Sequence, residues 1–163
     1  MPVAALQCAN PDRRNLSIDI KKVAGRKKEY LGLLLLADEQ ENMVDRYLER
    51  GEMFVLNDHG VKAECVVMRE ADGIYELKNI AVQPDCRRRG YGRALIEFLF
   101  SHYPDCRTML VGTGDAPATL DFYAECGFTE SHRVTGFFTD NYNHPIYENG
   151  RMLVDMVYLK RER

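Results

Sequence analysis

Residues 76–100, ELKNIAVQPDCRRRGYGRALIEFLF, leave the backbone few arrangements. A strand-like run ends at Ala81-Val82, a turn at Gln83-Pro84-Asp85 follows, and Arg87-x-x-Gly90-x-Gly92 leads straight into a helical pattern. Tyr91, Ala94, Leu95, Phe98 and Leu99 recur at helical spacing, with Arg93, Glu97 and Ser101 on the other side. Strand, loop and helix in this order gather backbone N–H groups, a helix N-terminus and Arg87, Arg88 and Arg89 around one small concavity. Such a place suits a pyrophosphate, because the unpaired amides of a first helical turn and the helix dipole both favour an anion. Glycine at 90 and 92 lets the backbone approach phosphate with no Cβ in the way. An isolated Arg-Gly run is as readily a solvated basic turn; the preceding strand favours the phosphate reading.

The 163 residues suffice to bury a core, and they read as an N-terminal arm or tail over 1–15 followed by one domain over 16–163. A net charge of −3 argues against a general nucleic-acid partner, so the arginine cluster is a local feature. Five cysteines with no paired spacing fit free thiols in a reducing compartment. No metal-ligand spacing appears among the cysteines and the scattered histidines, so no metal site is expected. The apolar run over 31–37 is far shorter than the ~20 residues of a membrane helix, and the start of the chain lacks signal-peptide character. The expected setting is cytoplasmic, with no membrane partner.

Periodicity and turn residues predict a strand over 16–23, helices over 28–37 and 39–50, and a hairpin of strands 52–57 and 61–69. A strand over 74–82, a helix over 90–103, a strand over 108–112 and a short helix over 118–126 follow. Strands from 128 to 134 and from 151 to 160 complete the chain, giving a mixed α/β (α+β) domain around one central sheet.

Two segments together resemble the GCN5-related N-acetyltransferase (GNAT) superfamily. Arg87, Gly90 and Gly92 fill the family's Arg/Gln-x-x-Gly-x-Gly/Ala motif, and Phe122-Tyr123-Ala124-Glu125-Cys126-Gly127-Phe128 matches its aromatic-Tyr-x-x-x-Gly-Phe pattern at a family-like distance. The resemblance covers about residues 74–129 well. It implies a sheet of about seven strands flanked by about four helices, with the fourth and fifth strands splayed. It also implies acetyl-CoA as cofactor and an amine acceptor, either a small molecule or a protein amino group, and family precedent allows a homodimer.

The resemblance further implies roles for particular residues. Residues 87–93, including Tyr91 and Arg93, would hold the pyrophosphate, and the main chain of Ile80, Ala81 and Val82 would meet the pantetheine arm and thioester. Tyr123 would act as general acid, since a phenol protonated at neutral pH can donate to a thiolate. Phe122 would pack beside the cofactor. Glu76, on the fourth strand and on one face with Lys78, Ile80 and Val82 by alternation, is a candidate general base or a partner of Lys78. Asp115 stands near where family members place an asparagine against the cofactor, a departure that weakens the match there.

Two segments admit other readings. Gly112-Thr113-Gly114, read as a loop after the fifth strand, would serve a methyltransferase only with a further glycine where Pro117 stands. Residues 136–150 are long for a connection between the last two strands, and such insertions tend to be functional. Their Phe137, Phe138, Tyr142 and Tyr147, beside Asp140 and Glu148, suit a cationic amine, or equally a packed loop or a dimer contact. Part of this segment resembles the Pro-Ile-x-Glu-Asn-Gly ending of some small bacterial acetyltransferases. The leading function is acetyl transfer from acetyl-CoA to an amine; the alternative is a catalytically silent acyl-CoA-binding regulatory domain.

Overall fold

The computed structural model describes residues 18–163, so the expected arm over 1–15 lies outside the described residues. After β1 (Asp19–Lys22) come α1 (Leu31–Ala37), α2 (Glu41–Val44), β2 (Glu52–Asn57), β3 (Val61–Ala71) and β4 (Ile74–Val82). Next are α3 (Tyr91–His102), β5 (Thr108–Gly114), α4 (Pro117–Glu125), β6 (Thr129–Val134) and α5 (Phe137–Asn141). A ribbon of β7 (Tyr147–Glu148) and β8 (Arg151–Met152) precedes β9 (Met156–Glu162). The central sheet has seven strands in the order β1-β2-β3-β4-β5-β9-β6, and β7 pairs only with β8.

Apolar clusters cover both faces of this sheet. One gathers Ile80, Val82, Leu95, Leu99, Phe122 and Tyr123 beneath α3 and α4. The other sets Leu34, Val44, Tyr47 and Leu48 against Met53, Val55 and Val66 beneath α1 and α2. Strand alternation divides β3 between them, with Ala63, Cys65 and Val67 on the first face and Val66 on the second. Each large side chain so enclosed stabilises the fold by about 1.5–3 kcal/mol.

The sheet's one parallel contact positions the site. β4 pairs with β5 only from Ile74↔Thr108 to Leu77↔Val111, and the two strands then part. On its other edge β4 stays paired with β3 up to Ala63↔Val82. The sheet is therefore forked at its centre, as expected.

Three local expectations need correction. The helix expected over 39–50 is α-helical only over Glu41–Val44. Beyond Val44 the ladder tightens to i→i−3 bonds, with Arg46 N–H donating to Met43 O (3.2 Å) and Tyr47 N–H to Val44 O (3.2 Å), and Lys27 Nζ caps the carbonyls of Leu48 (2.9 Å), Glu49 (3.3 Å) and Gly51 (2.6 Å) where the segment ends. The strand expected over 151–160 is broken after Met152. There Leu153 N–H donates to Ile146 O (2.8 Å), Val154 O accepts from Phe138 N–H (2.9 Å) and Asp155 accepts from Gly136 N–H (2.8 Å). Those bonds tie down residues 136–150, which hold a fifth helix and the β7–β8 ribbon. Finally, Gly112 and Gly114 lie within β5 and not in a loop.

Candidate active site

The turn after β4 brings residues 86–90 to the start of α3. Cys86 closes a short 3-10 turn, Arg87 is extended, and Arg88 (φ 64°) and Gly90 (φ 85°) take left-handed conformations before α3 starts. Gly90 is the N-cap, with open space where a Cβ would stand, and no side chain caps the helix. Arg87 is half-buried, whereas Arg88, Arg89 and Arg93 are exposed. Tyr91 plays another part: its buried hydroxyl donates to Asp58 Oδ2 at 2.5 Å. It anchors the start of α3 to the β2–β3 turn.

Beyond the fork, Ile80, Ala81 and Val82 are buried and no longer paired with β5. Across it, α4 carries Phe122 and Tyr123 inward, with ring centroids 5.1 Å apart, and Tyr123 meets Phe128 at 5.6 Å. Tyr123 is fully buried and its hydroxyl has no hydrogen-bond partner. Burial, then the negative potential of Cys126 and Glu148, pushes its phenol well above the usual value, so it stays protonated over the whole physiological range.

On the α1/α2 face lies a cavity of ≈ 330 Å³. Leu77, Lys78 and Gly112 are among its lining residues, and these flank the last β4–β5 rung, so the cavity opens at the fork. Its walls include Phe137, Phe138, Tyr142 and Tyr147, which the sequence singled out, but Asp140 is not among the lining residues. Tyr142 donates to Asp38 Oδ1 (2.7 Å) and Tyr47 to Asp38 Oδ2 (3.4 Å). Asn79 of β4 bonds Tyr47 (2.8 Å) and the Leu34 carbonyl (3.0 Å). Burial outweighs these bonds and raises the Asp38 carboxyl above its ordinary value.

Glu76 lines the cavity, paired with Lys78 Nζ at 3.1 Å. Burial, then the charge of Glu76, pushes the Tyr158 phenol up to about 12. The expected common face with Ile80 and Val82 is corrected. Val66 pairs with Asn79 and Val67 with Leu77, so Lys78 is a bulge that reverses the alternation. Asn79 thereby joins the Glu76 face, and Ile80 and Val82 pack beneath α3. Asp115 is held by Arg133 (3.3 Å) and Arg151 (3.1 Å).

Sequence reasoning passed over Asp38, Tyr47 and Tyr158, which line the cavity through tertiary packing, and Asn79, which bonds Tyr47 behind it; none carries a motif. Glu148 had a signal, its place in the Pro-Ile-x-Glu-Asn-Gly stretch. Among the described residues no group of three or more His, Cys, Asp or Glu side chains is placed to hold a metal, and no helix is long and apolar enough to cross a membrane.

An uncapped helix N-terminus, a sheet forked at its centre and a buried phenol suit an acyl-CoA thioester. Residues 49–130 match the model of the acetyltransferase (GNAT) domain. An uncharacterized N-acetyltransferase, YvbK, of Bacillus subtilis (strain 168) is 33% identical over 135 residues, 80% of this chain and 87% of the relative. A GNAT family acetyltransferase from Elizabethkingia anophelis, solved with acetyl-CoA bound, superposes with TM-score 0.84 at 29% identity, covering 90% of this chain and 98% of that one. A Bacillus subtilis acetyltransferase in complex with CoA gives 0.80 at 30% identity, covering 90% and 99%. The chain belongs to the GNAT acetyltransferase family. It is an acyltransferase, and acetyl-CoA is its co-substrate.

Proposed function

We propose that the protein moves the acetyl group of acetyl-CoA onto a primary amine by direct attack, and that the acceptor enters through the ≈ 330 Å³ cavity. The observation that carries this reading is the meeting of cavity and fork at Leu77, Lys78 and Gly112. A cofactor laid along the fork from the α3 cradle would present its thioester where the cavity ends. Residues 87–93 hold the pyrophosphate, chiefly through backbone amides, and the free backbone edge of residues 80–82 receives the pantetheine arm. Tyr123 donates its proton to the departing sulfur.

The acceptor is small. A cavity of this size takes a compact amine or a single side chain, and its aromatic walls with Asp38, Glu39, Glu70, Glu76 and Glu148, which outnumber Arg46, Arg50 and Lys78, favour a cation. The free thiols of Cys65, Cys86, Cys106 and Cys126 support a reducing, cytoplasmic setting.

The test is acetyl-CoA consumption against a panel of small amines and lysine-containing peptides. Free CoA thiol is read by a chromogenic disulfide and the product by its gain of one acetyl group in mass spectrometry. Thiol release that requires an amine is expected. Acetyl-CoA binding with no amine-dependent release from any acceptor would instead leave the silent regulatory reading.

A further inference from the structure

The segment over 136–150 delivers one carboxylate to the cavity wall, and nothing in the cofactor half of the site accounts for it. Glu148 is only 7% exposed, yet it lines the cavity. Its Oε1 accepts a 2.5 Å hydrogen bond from Thr119 Oγ1 at the start of α4. Its Oε2 is buried with no partner. The other unpartnered oxygen nearby belongs to Tyr123, one turn further along α4, and the charge of Glu148 reaches that phenol.

An enclosed carboxylate oxygen without a donor is costly, the more so when charged, so such a group calls for a reason. The backbone explains how it is held. β7 and β8 are joined through Asn149 (φ 50°) and Gly150 (φ 78°), the left-handed pair of a tight hairpin turn. Strand alternation then sends Tyr147 outward, 60% exposed, and Glu148 inward. Thr119 fixes one oxygen and leaves the other for a ligand.

We propose that Glu148 is the acceptor's partner: Oε2 receives the ammonium group of the incoming amine and takes its proton. This rests on the amine-acetylating reading above. The step balances as follows. The ammonium gives one proton to Glu148, which passes it to water. The neutral nitrogen forms a bond to the thioester carbon while the carbon–sulfur bond breaks. Sulfur leaves as thiolate and is protonated by Tyr123, whose hydroxyl is restored by the second proton shed from nitrogen. One amide, one CoA thiol and one proton result. The substrate class is a primary amine that is cationic at neutral pH.

The test compares n-butylamine, a cation at neutral pH, with methoxyamine, which is uncharged there, in wild type and Glu148→Gln. Glutamine keeps a carbonyl oxygen for Thr119 and loses the charge. The expected result is a fall of ~100-fold or more in kcat/KM for butylamine, methoxyamine changed less than about threefold, and an unaltered thermal shift with acetyl-CoA. Glu148→Asp, which keeps the charge, should recover butylamine turnover relative to the glutamine variant and serves if glutamine is not tolerated. Equal losses on both amines would mark Glu148 as a strut for the segment and overturn the proposal, as would butylamine turnover indifferent to the substitution. Wild-type protein that binds acetyl-CoA yet acetylates neither amine overturns the functional reading and this one with it, and the wild-type assay alone reveals that outcome.

Discussion

The Tyr123 hydroxyl is enclosed among Phe122 and Phe128 with nothing to bond. Folding gains nothing from such a group, so function and stability separate at this residue. Tyr123→Phe should lower the acetyl-transfer rate by ~100-fold while the urea midpoint holds or rises, by up to about 1–3 kcal/mol of relieved desolvation. A parallel loss of both would mean the hydroxyl is structural. Glu64 poses a related case on β3: it is fully enclosed, both oxygens lack partners, and burial raises its carboxyl well above the ordinary range. The folded state therefore keeps a proton that the unfolded chain releases. Its contribution is complete below the ordinary carboxylate value and is lost as pH rises toward the raised one. Asp38 acts in the same direction, whereas Glu97, lowered by its bond to Arg161, favours the fold above its ordinary value and loses that contribution on acidification. Glu64→Met should stabilise the protein by a margin that widens with pH above the carboxylate range, checked by urea midpoints across pH. Tyr123 was legible in the sequence because a motif surrounds it. Glu64 was not, because alternation marks its position and nothing local marks its isolation.

Among the elements, those with strong periodicity or a defining turn were legible. β4, α3 and α4 lie within a residue or two of expectation, since Pro84, Gly90 and Pro117 mark where they begin or end. The bulge at Lys78 was hidden, because register is a property of two strands and the alternation of β4 alone reads as unbroken. The β7–β8 ribbon had its Asn149-Gly150 turn in plain view, but its strands are two residues long, too short for a pattern. The glycines of β5 make way for the returning chain: a Cβ on Gly112 would stand 2.6 Å from Met156 Sδ, and one on Gly114 2.5 Å from Leu153 Cδ1. Gly114→Ala should therefore cost about 1–3 kcal/mol and disturb the cavity wall, seen as a lower melting temperature and a raised acceptor KM. Gly90→Ala meets no atoms but forces φ 85° on an L-residue. It should cost about 1–2 kcal/mol and weaken acetyl-CoA binding more than acceptor binding, read by calorimetry.

For the molecule as a whole, the sheet's seven strands form two sets, β1-β2-β3-β4 and β5-β9-β6, joined by the short parallel contact of Ile74–Leu77 with Thr108–Val111. Acetyl-CoA at ~100 times its dissociation constant should stabilise the fold by about 2.7 kcal/mol, a rise of several degrees in melting temperature, with S-adenosylmethionine giving none. Past that contact, the edge of β4 over residues 78–82 that faces away from β3 is without a strand beside it. A pantetheine arm carries amides of its own, and one lying there would become the eighth member of the ladder. Slowed hydrogen exchange confined to that edge and to residues 112–114 would record its arrival. The co-substrate would then also be a piece of the architecture, and each turnover would remove and replace one strand of the sheet.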